Sequence, residues 1–205
     1  MKAAETCNRA TNVEHVFARL GTVLILEPLP RADIAHMEEF FPVLPPRTAG
    51  ARAEDFSREA REWIAGHEGL RALASQLAQK PVWLSRLQAF DKSPEANWFV
   101  PWHQDRAEDG RERPVEVLED TVALRIHLDD CGDDNGPLEV ILGSHTSGRL
   151  EADAIVKVLA GAAPVSCFAA RGDIVAMRPL LLHRSKRATK PAARRVIHIE
   201  YAGGV

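Results

Sequence analysis

The sequence contains few cysteines, and their number and spacing argue against disulfide-stabilised and zinc-stabilised folds. Its three cysteines, Cys7, Cys131 and Cys167, lie far apart along 205 residues. An odd count without a Cys-x-x-Cys pair predicts neither a disulfide framework nor a thiolate zinc site. We therefore expect a cytoplasmic protein whose stability comes from its own hydrophobic core.

Long apolar runs and a strong charge excess are also missing. The first 15 residues, MKAAETCNRATNVEH, contain no apolar stretch, so no secretory signal is predicted. No run approaches the roughly 20 apolar residues of a membrane helix. The net charge is −3, and the basic cluster in residues 184–195 has no interleaved aromatic residues. Neither a membrane nor a nucleic acid is therefore an expected partner.

The chain changes in character near residue 80. Before that point, TNVEHVFARLG and PRADIAHMEEFF have the periodicity of amphipathic helices, with TVLILE between them as one strand. From Pro81 onward, short β-type runs alternate with turn sequences such as DDNGP and GSHTSG, which is typical of an antiparallel sandwich or barrel. We expect one α+β domain over residues 1–205. Residues 1–80 would form a helical layer on one sheet of a β-rich core, residues 81–205.

One His-x-Asp pair stands where an apolar segment meets a polar loop. In a strand, residues i and i+2 point to the same face, so His103 and Asp105 would project together. A second histidine would complete the two-histidine, one-carboxylate triad typical of non-haem iron sites. Spacing alone is weak evidence, because a chain with eight histidines contains such a pair by chance.

Further candidates lie about 80 residues downstream. His183 ends the segment GDIVAMRPLLLH, and Arg194 and Arg195 open the predicted strand RRVIHIEYA. A guanidinium buried inside a barrel needs an anionic partner. The alternative is that both arginines lie in solvent at the start of the strand.

Four segments, in this order, resemble the phytanoyl-CoA dioxygenase family over residues ~82 to 201. They are WHQD, LRIHLDDCGDDNGPLEVILGSH, RGDIVAMRPLLLH and HRSKRATKPAARR. The resemblance implies a double-stranded β-helix fold, also called a jelly-roll or cupin-like barrel, with N-terminal helices packed on one sheet. It also implies an Fe(II)-dependent dioxygenase that uses 2-oxoglutarate and O₂ and releases succinate and CO₂.

The resemblance assigns roles to individual residues. His103, Asp105 and His183 match the family's catalytic metal ligands. Arg194, eleven positions after the distal histidine, matches the arginine that binds 2-oxoglutarate and is preferred over Arg195. Ser185 matches the serine that helps to hold the distal carboxylate of that cosubstrate.

Arg125 departs from the family pattern, because many members have a tryptophan at this position. Arg125 and His127 lie on one side of the strand VALRIHLD, opposite its apolar residues. If the apolar side packs against the helices, Arg125 faces the barrel interior and contacts 2-oxoglutarate or an anionic substrate group. The alternative is an exposed arginine paired with Asp129 or Glu119.

The reaction class has two alternatives. Related halogenases carry a small residue at the position of Asp105, so the carboxylate here favours hydroxylation of a C–H bond in a small, polar or anionic substrate. A cupin-like metal enzyme would use the same metal ligands without 2-oxoglutarate. A degenerate family member would only bind a metabolite.

The charged residues 106–120 are either a lid or a solvated connection, and the oligomeric state stays open.

Overall fold

The structure is a computed structural model, and it describes residues 12–45, 48, 50–108, 111–190 and 192–203. These residues contain six α-helices and twelve β-strands. The helices are α1 Val13–Leu20, α2 Arg31–Glu39, α3 Arg58–Gly66, α4 Glu68–Ala78, α5 Val115–Glu119 and α6 Ala152–Gly161. The strands are β1 Thr22–Ile25, β2 Gly50–Arg52, β3 Val82–Asp91, β4 Val100–His103, β5 Ala107–Glu108, β6 Arg111–Glu112, β7 Thr121–His127, β8 Leu138–Val140, β9 Val165–Cys167, β10 Ile174–Met177, β11 His183–Ser185 and β12 Arg195–Gly203.

Helix α1 shows how local sequence sets the element boundaries. The Asn12 side chain accepts a hydrogen bond from the His15 amide at the N-terminus of the helix. Gly21 ends it with φ of 77°, a conformation that favours glycine, and its amide donates to the Phe17 carbonyl. The helix buries Val16 and Phe17, in agreement with the predicted apolar stripe.

The strands form two larger antiparallel sheets and one small hairpin. The six-stranded sheet has the order β1-β10-β7-β12-β3-β2, and the four-stranded sheet has the order β4-β11-β8-β9. Strands β5 and β6 pair only with each other. The mixture of helices with antiparallel sheets confirms the predicted α+β class.

The large sheet separates two apolar layers. One face packs against the N-terminal helices, and this layer includes Phe17, Ile64, Leu124 and Ile199, all 0% exposed. The other face contributes Val175 to a second cluster with residues of β8 and β9, so that cluster lies between the two sheets. Burial of apolar area in both layers is the main favourable contribution to folding. The helices support one sheet, as the sequence predicts.

The prediction of a single strand within residues 1–80 is wrong. Strand β2 also lies in this region and pairs with β3 over residues 50–52, while β1 pairs with β10. The two strands form opposite edges of the large sheet. Strand β2 has the sequence Gly-Ala-Arg, which carries no β-branched or aromatic residue and so gives no strand signal.

The described helices are all too short or too polar to cross a lipid bilayer.

Candidate metal centre

His103 and His183 meet across a pair of strands of the smaller sheet. His103 ends β4, His183 begins β11, and the two residues are directly paired in the antiparallel register. Their ring centroids are 4.1 Å apart. Strand pairing therefore brings together two side chains that are distant in sequence.

Asp105 completes the group from the turn that follows β4. Its amide donates a hydrogen bond of 2.9 Å to the Pro179 carbonyl, which holds the turn close to β11. Its carboxylate oxygens lie 3.4 Å from His103 Nε2 and 3.6 Å from His183 Nε2. One ligand atom from each of the three residues lies within 4.8 Å of the others.

Backbone contacts determine which histidine nitrogens are free. His103 Nδ1 lies 2.9 Å from the Pro101 carbonyl, and His183 Nδ1 lies 2.8 Å from the Leu181 carbonyl. A carbonyl oxygen only accepts, so each Nδ1 carries the proton and each Nε2 offers a lone pair. With both rings neutral, two lone pairs and a carboxylate face one another, a set of ligands that fits a divalent cation of the iron type.

The electrostatics keep two of the three groups ready to act as ligands. Burial lowers the pKa of His183 to about 4, although Asp105 opposes this shift, so the ring is neutral at neutral pH. Burial raises the pKa of Asp105, but the adjacent His183 and His103 imidazoles hold it well below its usual range, so the carboxylate is ionised. A metal ligand needs a neutral imidazole or an ionised carboxylate.

Gln104, between the two ligands, fastens the turn from the other side. Its side chain is 6% exposed and donates to the Gly148 and Leu180 carbonyls at 2.9 and 2.7 Å. Its Oε1 accepts from the Leu150 amide at 2.8 Å. These three hydrogen bonds all go to backbone atoms. Gln104 therefore links its own turn, which carries the metal ligands, to residues 148–150 and to Leu180.

A cavity of about 350 Å³ adjoins this group, and all six predicted site residues line it. They are His103, Asp105, His183, Arg194, Ser185 and Arg125. Phe90 and Trp98 contribute apolar walls. The size and the mixed lining fit a small, polar molecule rather than a large one.

Arg194 and Ser185 line the cavity, and a buried lysine contacts Ser185. Arg194 is 2% exposed, and its Nε has no hydrogen-bond partner among the residues that the structure describes. Lys92, 0% exposed, donates to Ser185 Oγ at 2.8 Å and to the Lys186 carbonyl. Burial, together with the charge of Arg194, lowers the pKa of Lys92 to about 7. A buried guanidinium that pairs with no carboxylate among the described residues makes this part of the cavity suitable for an anion.

Arg195 lies on the other face of the sheet. Its guanidinium binds Asp129 through two hydrogen bonds of 2.9 and 2.8 Å, and Glu38 of α2 lies 3.6 Å away. It is not among the residues that line the cavity. The geometry therefore favours Arg194 over Arg195 as the cosubstrate arginine.

Arg125 faces the cavity, and the alternative of an exposed arginine paired with Asp129 or Glu119 is wrong. It is 8% exposed, and its guanidinium lies over the Phe90 ring, 5.2 Å from the ring centroid. Burial and the charge of Arg194 lower its pKa to about 10, so it stays charged at neutral pH.

The charged segment 106–120 is partly fixed to the domain. Residues 109 and 110 lie outside the described residues. Further along, Leu118 of α5 is 0% exposed, and Arg113 donates to the buried carboxylate of Glu200. These contacts attach the second part of the segment to the domain, and the choice between a lid and a solvated connection stays open.

The sequence analysis overlooked three side chains near the cavity: His198, Glu200 and Arg113. Residues 198 and 200 follow Arg194 at even spacing on β12, so alternation places them on the same face. This even spacing could have identified His198 and Glu200, but charged residues are rarely buried inside a strand, so their burial was not predicted.

Comparisons with known proteins agree with this arrangement. An L-proline trans-4-hydroxylase of Streptomyces griseoviridis is 34% identical over 162 residues, which are 64% of this chain and 59% of that protein. This chain thus spans less than two thirds of that relative's length.

Solved structures resemble the whole fold. The crystal structure of AviO1 from Streptomyces viridochromogenes Tue57 is 28% identical, with a TM-score of 0.77, and the match covers 98% of each chain. EctD from S. alaskensis, crystallised with 2-oxoglutarate and 5-hydroxyectoine, is 16% identical, with a TM-score of 0.76, over 99% of this chain and 83% of that one. Another EctD structure contains bound iron. The cofactors predicted here, Fe(II) and 2-oxoglutarate, are thus present in structures of the same fold.

The family model for phytanoyl-CoA dioxygenase (PhyH) matches residues 21–196, which include every predicted site residue. This chain therefore belongs to the phytanoyl-CoA dioxygenase (PhyH) family.

Proposed function

We propose that this chain is an Fe(II)/2-oxoglutarate-dependent dioxygenase that hydroxylates a C–H bond of a small, polar or anionic molecule. The catalytic domain is a double-stranded β-helix, and residues 1–205 form one such domain. One observation carries the proposal: the ligand atoms of His103, Asp105 and His183 lie within 4.8 Å of one another beside a cavity whose Arg194 pairs with no carboxylate among the described residues.

The metal ligands are held before any metal binds. Backbone carbonyls fix the tautomers of His103 and His183, and the Pro179 carbonyl fixes the turn that carries Asp105. When bound, the iron supplies O₂ activation and the oxidative decarboxylation of 2-oxoglutarate to succinate and CO₂. The protein's own task is to place three ligands on one side and leave the other side open.

The cosubstrate binds beside Arg194 and Ser185. Arg194 donates to the distal carboxylate of 2-oxoglutarate, and Ser185 Oγ lies beside it. Lys92 holds Ser185 in place through its 2.8 Å hydrogen bond. The apolar rings of Phe90 and Trp98 line the same cavity and would help to exclude water from it.

The substrate class follows from the charge of the lining and from the relative that acts on a free amino acid. Five arginines line the cavity, and Asp105 is its one acidic residue among those described. A positive lining attracts anionic groups. L-Proline, the substrate in the name of the 34% identical relative, is therefore the first compound to test.

Succinate formation tests the reaction class. Purified protein is incubated with Fe(II), 2-oxoglutarate and O₂, with and without L-proline, and succinate is quantified. We expect succinate from the wild type and none above background from His103→Ala, while His15→Ala, an exposed helix residue, matches the wild type. Equal succinate formation by His103→Ala would contradict the assignment.

Two alternatives give different outcomes in the same preparation. A cupin-like enzyme without 2-oxoglutarate binds the metal but forms no succinate. A degenerate family member forms none and shows no Fe(II) or Mn(II) binding in calorimetry. Hydroxylation itself is shown by a product that is heavier than the substrate by one oxygen atom.

A further inference from the structure

A buried row of three side chains crosses the inner face of the large sheet beside the cavity. Glu200 and His198 lie on β12 and are 0% and 1% exposed, and Arg125 lies on β7 directly opposite His198 in the register. Arg125 Nη1 is 3.2 Å from His198 Nδ1, and His198 Nε2 is 3.4 Å from Glu200 Oε1. None of the predicted roles uses His198 or Glu200.

The direction of the hydrogen bonds in this row is fixed by chemistry. A guanidinium has donors only, so His198 Nδ1 must accept from Arg125. The ring proton is then on Nε2 and is donated to the Glu200 carboxylate. The carboxylate thereby orients the imidazole, and the imidazole orients the guanidinium, as carboxylates orient metal-binding histidines.

Glu200 is itself held rigidly. Arg113 donates to Oε2, and Arg86 donates to Oε1 at 3.2 Å. With His198, the carboxylate has three donors and no exposed surface. The ligand atoms of Asp105, His198 and Glu200 also lie within 4.8 Å of one another, but a carboxylate that already accepts from three donors is a poor metal ligand, so we assign no second metal site to them.

Arg125 is the end of the row without an anion. Three of the five arginines that line the cavity pair with carboxylates: Arg86 with Glu200, Arg106 with Glu112 and Glu151, and Arg184 with Glu139. Arg125 and Arg194 form no such pair among the described residues. The distal carboxylate of 2-oxoglutarate satisfies Arg194 under the proposed function, which leaves one buried, positioned guanidinium.

We propose that Arg125 is the receptor for a second carboxylate in the cavity, and that His198 and Glu200 are positioning residues that aim its guanidinium. The inference rests on the proposed function, since it takes Arg194 as the site of the first carboxylate. The second carboxylate is either the keto-acid end of 2-oxoglutarate or an acid group of the primary substrate. Both have the same chemistry, a planar anion that accepts from a guanidinium fork.

Ligand binding without turnover tests the proposal. Mn(II)-loaded protein is titrated anaerobically with 2-oxoglutarate, and its complex with 2-oxoglutarate is titrated with L-proline and with L-prolinamide, which lacks the carboxylate. We expect Arg125→Met to weaken binding of one of the two acids roughly tenfold to hundredfold, the range for losing a hydrogen bond to a charged group. Binding of L-prolinamide should not change.

Variants of His198 separate positioning from simple packing. His198→Phe keeps a ring beside Phe90, which is 5.8 Å away, but removes the acceptor for Arg125. His198→Asn keeps an acceptor near the position of Nδ1. We expect His198→Phe to lose nearly as much affinity as Arg125→Met, His198→Asn to recover part of it, and the double variant Arg125→Met/His198→Phe to lose no more than Arg125→Met. His36→Phe, at a histidine of α2 that does not line the cavity, is the control and should stay within about twofold of the wild type.

The outcomes are separable. Weaker 2-oxoglutarate binding identifies the cosubstrate as the source of the carboxylate, and weaker L-proline binding alone identifies the substrate. Unchanged affinity for both acids in Arg125→Met overturns the receptor, and full affinity in a folded His198→Phe overturns the positioning role. Failure of the proposed function looks different, since the wild type would then bind no Mn(II) or form no succinate.

Discussion

His103 and His183 are direct partners across the antiparallel pair β4 and β11, although they are 80 positions apart in the sequence. The distance between the two imidazoles is therefore set by strand pairing rather than by a flexible loop. Asp105 joins them from a turn that is fastened to Pro179. The site is held by backbone hydrogen bonds, which is the usual way to keep ligand geometry in place before metal binds.

Arg194→Ala should raise the KM for 2-oxoglutarate about tenfold or more, because it removes a charge-assisted partner of the distal carboxylate. Arg195→Ala is the matched control on the next position of the strand. Its ion pair with Asp129 lies on the opposite side, so its KM should match the wild type and only about 1 kcal/mol of stability should be lost. Initial rates over a range of 2-oxoglutarate concentrations give both values. A KM effect confined to Arg195→Ala would show that the wrong arginine was assigned.

Lys92→Met should alter the pH dependence of stability. The pKa of Lys92 is about 7 in the folded protein and about 10.4 in the unfolded chain, so the unfolded state binds more protons between these values. The wild type should therefore gain free energy of unfolding relative to Lys92→Met as pH rises from about 7 to 10, by at most about 1.4 kcal/mol per pH unit.

Urea denaturation of Lys92→Met and of the wild type at pH 6, 7, 8 and 9 measures this difference. Both proteins share all other titrating groups, so these cancel. A constant difference across the series would mean that Lys92 titrates as it does in the unfolded chain.

Arg113→Met should destabilise the protein by about 2 kcal/mol, because it removes one of the two arginines that neutralise buried Glu200. Arg111→Met tests an exposed arginine two positions earlier and should change stability by less than about 0.5 kcal/mol. Chemical denaturation compares the two. Equal stability of the two variants would show that Arg113 does not anchor the segment.

Gly136→Ala should destabilise the protein more than Gly143→Ala. Both glycines are in the left-handed region, with φ of 62° and 75°, so both substitutions carry a backbone penalty of about 1 kcal/mol. A Cβ at position 136 would also lie 2.6 Å from the Lys186 carbonyl and 2.8 Å from Lys92 Nζ, whereas a Cβ at position 143 makes only an ordinary contact of 3.6 Å with the Arg19 carbonyl. Thermal unfolding gives the comparison, and 2-oxoglutarate affinity should fall only in Gly136→Ala. Equal losses would show that the close approach relaxes freely.

Much of this arrangement was predictable from the sequence, because the strands that carry it have clear period-two patterns. Strand β7 alternates apolar residues with Arg125 and His127, a pattern that left an inward or an exposed Arg125 open, and the structure shows Arg125 lining the cavity. The order of the motifs predicted the family, which the match over residues 21–196 confirms. The roles of the individual site residues remain predictions.

The rest depended on three-dimensional contacts that leave no local signal. The strands β4 and β11 have only four and three residues, and β4 contains Pro101, so their pairing could not be inferred from hydrophobic periodicity. Arg113, which pairs with Glu200, lies in a highly charged segment whose composition is typical of solvent-exposed sequence. A buried ion pair can be recognised only when the positions of both partners in the fold are known.

The contacts of Gln104 have a consequence for the chemical ageing of this protein. Deamidation would replace one NH₂ group by an oxygen, and the new carboxylate would face the Gly148 and Leu180 carbonyls that the amide now binds. Two attractive contacts would become repulsive in a nearly dry environment. A change of a single atom group, which leaves both histidines and the aspartate intact, would therefore push apart the chain segments that hold the metal ligands.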